Sequence, residues 1–312
     1  MSTRCTYCDN EALYHRPYSG ERLCKHCFIR SMEDRVRRTI SKYDMFEADD
    51  RIAVAVSGGK DSLSLLHILY RIEERFPKAE LVVVTVDEGI AGYRDEAVEI
   101  AQDACLELGV EQHIVSFKEV FGHTLDEVVG TARKGGELSA CSYCGLLRRK
   151  ALNVAAREVG ADRLATAHNL DDEVQTMLMN LIHGDVMRIA RVGPVLRGEV
   201  EGFVPRVKPL CEALEREVAM YAFLGGIRFQ TVPCPYRETS MRSDVRNFLN
   251  RMETKHPGTK YALLRSLGRV RSSLGRLAVQ AEFHECRLCG EPTVGDICRP
   301  CKALLDLGMI RG

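Results

Sequence analysis

Arg51-Ile52-Ala53-Val54-Ala55-Val56 runs directly into Ser57-Gly58-Gly59-Lys60-Asp61-Ser62, and that junction decides the fold. The first half is a short, apolar, partly β-branched run of the kind that forms a buried strand. The second half is a glycine-rich turn opening onto Leu63, Leu65, Leu66, Ile68 and Leu69 at helical spacing. A strand–loop–helix junction turns backbone N–H groups and the positive end of a helix toward one point, which makes it an anion site. Lys60 adds a mobile cation, and Ser57 and Ser62 add hydroxyls. The Walker pattern is excluded, because it needs four residues between its first glycine and the Gly-Lys pair. An ordinary βα turn is the plain alternative.

Outward from this junction the chain alternates strand and helix. The helix after the loop is expected over Ser62–Glu74. Leu81–Val86 leads into a helix at Arg94–Leu108, Gln112–Phe117 is a further strand, and Arg163–Ala167 leads into a helix from Asp171 to Ile182. Repeated β-then-α units with apolar strands predict an α/β fold, a parallel sheet with helices on both faces. Ligands of such sheets sit at the carboxyl ends of the strands, near a switch in strand order. Ser57–Ser62, Asp87 and His168–Asp172 all fall at such ends. After Pro209 the pattern is mostly helical, through Glu215–Leu224 and Ser243–Met252, and a basic helical connector over Phe28–Tyr43 precedes the first strand.

The chain has 312 residues, enough for one sizeable core plus accessory modules, and 44 basic residues balance 44 acidic ones. Global charge therefore announces no polyanionic partner, but local clustering does. Lys255, Lys260, Arg265, Arg269, Arg271 and Arg276 lie in a stretch ending at Gln280 that has no acidic residue. Two further clusters are Arg35, Arg37, Arg38 with Lys42, and Arg148-Arg149-Lys150. Such runs are either solvated faces or a phosphate-binding surface. No apolar stretch approaches a membrane span and the N-terminus lacks a signal pattern, so a cytoplasmic protein with no membrane partner is expected. In a reducing compartment, thirteen cysteines argue for metals or catalysis rather than disulfides.

Eight of the cysteines form two terminal sets, Cys5-x-x-Cys8 with Cys24-x-x-Cys27 and Cys286-x-x-Cys289 with Cys298-x-x-Cys301. Each Cys-x-x-Cys knuckle offers two corners of a tetrahedron, so each set suits one structural Zn(II). The knuckles are separated by fifteen residues at the N-terminus and eight at the C-terminus. Gly290 suits the tight turn after Cys289. His15 or His26 is an alternative ligand in the first set. Cys105 and Cys211 read as core residues. Cys141-Ser142-Tyr143-Cys144-Gly145, ahead of a basic helix over Leu146–Val154, and Pro233-Cys234-Pro235 differ from these. Three thiolates leave a zinc site one ligand short but suffice for an iron–sulfur cluster with one iron free of protein ligands. A redox dithiol at Cys141 and Cys144, or reduced bystander thiols, are the other readings.

The loop at Ser57–Ser62 resembles that of the PP-loop ATP pyrophosphatases. Together with Cys141-Ser-Tyr-Cys144-Gly, Ala167-His168-Asn169-Leu170-Asp171-Asp172 and Pro233-Cys234-Pro235, it is similar over essentially the whole chain to the tRNA 2-thiouridine synthases of the TtuA/NcsA type. The resemblance implies that Ser57, Gly58, Gly59, Lys60, Asp61 and Ser62 hold the ATP phosphates. Ala55 and Val56 would lead into the adenosine pocket, with Asp87 at the neighbouring strand end. His168 would be a nucleotide contact or only a strand-end hydrogen bonder. Cys141, Cys144 and Cys234 would hold a 4Fe–4S cluster, and Asp172 would be the catalytic acidic residue near the cluster and nucleotide, ligating Mg(II) or handling a proton. Arg148 stands where family members carry a catalytic lysine. A guanidinium does not readily deprotonate, so charge stabilisation is its remaining role. The implied reaction adenylates the C2 oxygen of a uridine, with Mg(II), Lys60 and the loop amides stabilising the developing charge, and then replaces that oxygen with sulfur delivered at the cluster.

The implied domains are a zinc module with its connector (residues 1–45), the catalytic domain (46–254), a basic helical segment (255–284) and a second zinc module (285–312). tRNA would be held by the basic helix around Arg265–Arg276 and by the N-terminal module. The sulfur donor would be a ubiquitin-like thiocarboxylate protein or sulfide, and the family implies a homodimer. The run from Cys144 to Leu152 looks more like the wobble-uridine (position 34) enzymes than those acting at T-loop uridine 54. Rival readings are 2-thiocytidine synthesis, against which the zinc modules weigh, cluster-free persulfide chemistry, and a non-catalytic zinc-ribbon RNA scaffold.

Overall fold

The computed structural model describes residues 4–73, 79–191, 193–196, 202–236, 241–274 and 283–311. The chain enters through a small knuckle, β1 (Tyr14–His15) paired antiparallel with β2 (Arg22–Leu23), followed by α1 (Lys25–Lys42). The α/β core follows as β3 (Arg51–Ala55), α2 (Lys60–Glu73), β4 (Glu80–Asp87), α3 (Arg94–Leu108), β5 (Glu111–Ser116), α4 (Phe117–Phe121), α5 (Leu125–Ala132), α6 (Ala140–Glu158), β6 (Arg163–Ala165) and α7 (Leu170–Ile182). Next come α8 (Val186–Arg191), β7 (Val195–Leu196), β8 (Arg206–Val207), α9 (Glu215–Gly225), α10 (Met241–Lys255) and α11 (Thr259–Leu274). A second knuckle, β9 (His284–Glu285) with β10 (Pro292–Thr293), ends in α12 (Arg299–Asp306).

The main sheet has the order β5-β4-β3-β6-β8-β7, parallel except for β7. From β3 the chain builds outward to β4 and β5, then returns to place β6 on the other side of β3. The order therefore switches between β3 and β6, where a parallel sheet opens a crevice at its carboxyl edge. Val82, Val83 and Val84 on β4 are all buried, because successive side chains face opposite, equally covered sides. Ile52, Val54 and Val83 share one core with residues of α1, α2, α3 (Cys105 among them) and α9, and with Cys211 in the turn before α9. Ala53, Val82, Val84 and Val86 share the other with α5, α6 and α12.

Some elements start elsewhere than the sequence suggests. Glu74 of the expected helix lies outside the described residues. Phe117 opens α4 rather than closing β5, because Ser116 and Glu119 form a reciprocal capping box. Cys141 and Cys144 do not precede the basic helix. They lie in the first turns of α6, which Ser139 caps by accepting from the Ser142 N–H. Gly145 disfavours helix intrinsically, but burial of Tyr143, Cys144 and Leu147 against the sheet overrides that propensity. No helix among the described residues is long and apolar enough to cross a membrane.

Candidate active site

The loop after β3 and the loop after β6 meet at the switch point. Gly58 has φ +79°, and a Cβ on it would lie 2.3 Å from the Ala97 carbonyl oxygen, so only glycine fits. Ser62 shapes the turn: its Oγ accepts from the Ser57 N–H (3.0 Å), donates to Gly59 O (2.9 Å) and lies 3.1 Å from Ser57 Oγ. The first amides of α2 have no intrahelical acceptor and face the crevice end of the sheet. Val56 bonds back to Val84 O (3.0 Å), and Ala55 closes β3. Asp87 ends β4, and its Oδ1 accepts from the Gly89 N–H (2.8 Å).

Acidic groups crowd this loop. Lys60 Nζ reaches Asp61 (2.8 Å) and Glu215 (3.2 Å). Burial opposes its charge, but the two carboxylates more than offset that and raise its pKa. From β6, Asn169 caps α7 in a reciprocal box with Asp172, whose Oδ2 accepts from the Asn169 N–H at 3.1 Å. Burial lifts the Asp172 carboxyl to about 6, with Asp61 and Glu215 adding to the effect. His168 is held neutral, its pKa lowered to about 3 by burial and then by Lys208, Arg206, Arg242 and Arg149. Thr166 donates its hydroxyl to Val207 O (3.3 Å), so its oxygen accepts from His168 Nδ1 (3.0 Å) and Nε2 is left as an acceptor.

The three unassigned cysteines gather beside the same crevice. Cys141 is exposed and Cys144 buried on α6, and Cys141 Sγ lies 3.6 Å from Tyr236 O, which brings the Cys234 loop against the helix. The Tyr236 hydroxyl anchors that loop by donating to Asp126 (2.6 Å). Burial pushes the Cys144 thiol up to about 11, against the pull of Arg148.

Glu88 and Arg94, which no sequence motif marks, join the two halves. Arg94 donates to Ser57 O (2.6 Å) and Val86 O (2.6 and 3.0 Å), and pairs with Glu88 at 2.7 Å. Glu88 pairs with Arg148 at 2.6 Å, and Arg148 Nη2 donates to Cys144 Sγ at 3.1 Å. Glu88 and Arg94 are 3 % and 4 % exposed. The phosphate loop and a candidate cluster ligand are thus tied through one Arg–Glu–Arg chain, buried at Arg94 and Glu88 and exposed at Arg148. In sequence both residues are isolated charges beside a turn, and only their burial gives them away.

The basic clusters are only partly free. Lys260 is buried against Asp171 and also donates to Asn250 Oδ1 (2.6 Å), so it fastens α11 to α7 rather than offering charge to a ligand. Arg35 pairs with Glu217 (2.5 Å), Arg37 with Asp34 (2.7 Å) and Lys42 with Glu212 (2.5 Å), which neutralises most of the α1 cluster. Arg265 and Arg269 are exposed on α11, and Arg276 and Gln280 lie outside the described residues.

Each terminal cysteine set brings four sulfurs within 4.8 Å of one another, with cysteines alone in both; His15 and His26 belong to neither. Cys8–Cys24, Cys8–Cys27 and Cys289–Cys298 separations are 3.6, 3.7 and 3.6 Å. A tetrahedral site with metal–sulfur bonds of about 2.3 Å has edges of about 3.8 Å, so both sets fit zinc-ribbon modules. Among the described residues these two are the only such groups. Cys141, Cys144 and Cys234 do not form such a group; a wider set of three thiols is what a polynuclear cluster, which spreads its protein ligands further than a single ion does, would take.

Comparison with known proteins agrees with this geometry. A model of the PP-loop domain matches residues 30–253, and a model of the N-terminal LIM domain of 2-thiouridine synthetase TtuA matches residues 4–29. The tRNA 2-thiolation protein NcsA of Haloferax volcanii is 36 % identical, with 96 % of this chain and 98 % of that protein covered. The tRNA-5-methyluridine(54) 2-sulfurtransferase of Pyrococcus horikoshii is also 36 % identical, over 96 % and 93 %. Among solved structures, the U34-tRNA thiolase NcsA of Methanococcus maripaludis with its [4Fe-4S] cluster superposes with a TM-score of 0.86. It is 35 % identical, with 100 % of this chain and 98 % of that one covered.

Proposed function

Because the chain belongs to the PP-loop family, in the branch of the tRNA 2-thiolation proteins, we propose that it is an ATP-dependent tRNA sulfurtransferase making 2-thiouridine at wobble position 34. The observation that carries this reading is the Arg94–Glu88–Arg148 chain, which couples an ATP-type phosphate loop to a three-thiol set in one crevice. Position 34 is preferred on the run from Cys144 to Leu152; overall likeness to the position-34 and position-54 enzymes is equal.

Cys141, Cys144 and Cys234 would hold a 4Fe–4S cluster, which when bound supplies an iron without a protein ligand where sulfide can be carried. The α2 amides and Lys60 bind the β- and γ-phosphates of ATP and stabilise charge on the departing pyrophosphate. The charge of Asp61 helps to raise the pKa of Asp172, the response of converging carboxylates that Mg(II) would relieve, so these two are the residues to hold it. Attack of the uridine C2 oxygen on the α-phosphorus forms the O–P bond and breaks the bond to pyrophosphate. Sulfur then forms its bond to C2 as the C2–O bond breaks and AMP leaves.

Arg148, committed to Glu88 and Cys144, acts through charge and position rather than as a base. His168, neutral with Nε2 free to accept, is suited to a donor on the nucleotide. The terminal cysteine sets hold structural zinc. The reading includes a cytoplasmic homodimer fed by sulfide or a ubiquitin-like thiocarboxylate protein. Mass spectrometry of tRNA nucleosides from a deletion strain tests it: 2-thiouridine derivatives at position 34 should vanish and return with the wild-type gene. Unchanged thiolation would refute the activity, and loss confined to position 54 would refute the assigned base.

A further inference from the structure

Helix α6 carries two functional stripes. Cys141, Cys144 and Arg148 face the crevice described above. Leu146, Arg149, Lys150 and Asn153, at spacing i, i+3, i+4 and i+7, form a second stripe that lines a separate cavity. This cavity, of about 1260 Å³, lies between α6, the β7–β8 edge of the sheet and the C-terminal knuckle.

Its chemistry is one-sided. Arg149, Arg206 and Arg299 all line it, and none has a side-chain hydrogen-bond or ion-pair partner among the described residues; Arg206 Nε is buried and unbonded. Among the described residues of the lining the one carboxylate, Glu291, is already engaged by Arg157 (2.7 Å) and Asn153 (3.3 Å). Burial lowers the pKa of Arg149, and the like charge of Arg299 lowers it further. Arg206 responds in the same way, to burial and then to Arg149. Arg149 and Arg299 are exposed and Arg206 is half-buried, so water screens part of their repulsion, and an oxyanion ligand can accept charge-assisted hydrogen bonds from guanidiniums that have no other partner.

A second, independent feature adjoins them. Phe203 and Phe283 are 38 % and 43 % exposed, with ring centroids 6.1 Å apart at 79°. Exposed aromatic faces beside phosphate-binding cations are what unpaired nucleotides use, since each nucleotide brings one anion and one flat ring. An acidic peptide would use the arginines but does not bring a ring with each anion.

We propose that this cavity binds unpaired nucleotides of the substrate RNA adjacent to the base under modification, with phosphates on Arg149, Arg206 and Arg299 and bases on Phe203 and Phe283. The cavity exceeds the roughly 300–1,000 Å³ typical of a small-molecule pocket, so it has room for more than one nucleotide. The two stripes are separated by no more than the ~10–12 Å width of one helix, so neighbouring nucleotides can reach both. The inference rests on the tRNA-thiolase reading and adds a place for the RNA that the exposed charges of α11 do not supply.

The test is fluorescence anisotropy of the full chain with unmodified tRNA and with a short single-stranded RNA, over a salt series. R149Q/R299Q is expected to weaken both about tenfold or more and to reduce the salt slope by roughly 1.4, about 0.7 for each phosphate no longer neutralised. F203A/F283A should weaken binding about 5- to 100-fold per stacked base without changing that slope. Unchanged zinc content and ATP affinity show that each variant is folded. Wild-type affinity and slope in both variants would overturn the cavity assignment while leaving the enzyme reading intact. Failure of the wild-type chain to bind any RNA would sink both. Displacement of the short RNA by polyglutamate at equal charge, with F203A/F283A inert, would reassign the cavity to acidic protein.

Discussion

Replacing Glu88 with glutamine removes the charge that holds Arg94 and Arg148 while keeping the side chain's shape. Glu88 is 3 % exposed and sits 2.7 Å from one guanidinium and 2.6 Å from the other. Breaking a buried pair by neutralising one partner costs about 3–5 kcal/mol, because the other charge is left uncompensated. Arg94 is buried but keeps its carbonyl acceptors on Ser57 and Val86, which places its share near 3 kcal/mol, the lower end of that range. The Arg148 side chain is 45 % exposed, so water compensates it and its share is about 0–1 kcal/mol. The sum is about 3–4 kcal/mol. An unfolding entropy of about 2.1 cal/mol/K per residue turns that into a melting-temperature fall of about 5 °C. The assay is thermal denaturation of E88Q, R148Q and the double variant. R148Q alone should cost about 0–1 kcal/mol, and E88Q should cost no more in its background than in wild type, since one of its two partners is gone. An E88Q loss below about 1 kcal/mol would refute the bridge between the phosphate loop and Cys144.

Gly58→Ala should lower ATP affinity at least tenfold by calorimetry without loss of zinc, because the new methyl meets the Ala97 carbonyl at 2.3 Å and the loop must move. Asp172 has a folded-state pKa raised to about 6, so the folded chain binds more protons than the unfolded one between about pH 4 and 6. Its contribution is therefore present at low pH and lost as pH rises through 6. Melting curves without magnesium should show Asp172→Asn more stable relative to wild type at pH 7.5 than at pH 4.5, and a constant difference would count against the assignment. Elemental analysis should find two zinc ions per chain and one in Cys298→Ser; two in the variant would dismiss the C-terminal site.

Much of this molecule is legible as pattern. Six residues of loop after an apolar strand locate the anion site, and Cys-x-x-Cys spacing locates both four-thiol sets, because each signal depends on neighbours in the chain. The start of α6 at Ala140 is not legible in this way, since it depends on the burial of Tyr143 and Leu147 against the sheet. Lys260 looks like one more cation in a basic run and is instead committed to Asp171, a partner 89 residues away. Arg35, Arg37 and Lys42 mislead for the same reason: charge composition does not say which charges are already paired.

The amino-acid sequence by itself determined the α/β class, the phosphate loop, the family likeness and which cysteines belong to which set. These are properties of contiguous residues and their spacing. Tertiary structure alone decided that β6 returns to the side of β3 and sets the crevice there. It also decided that Glu88 and Arg94 bind the two halves of that crevice together, and that Arg149 turns away from Arg148 into a second cavity. Each of those depends on charges and strands far apart in the chain meeting in a dry interior, where the cost of leaving a group unpaired fixes its partner.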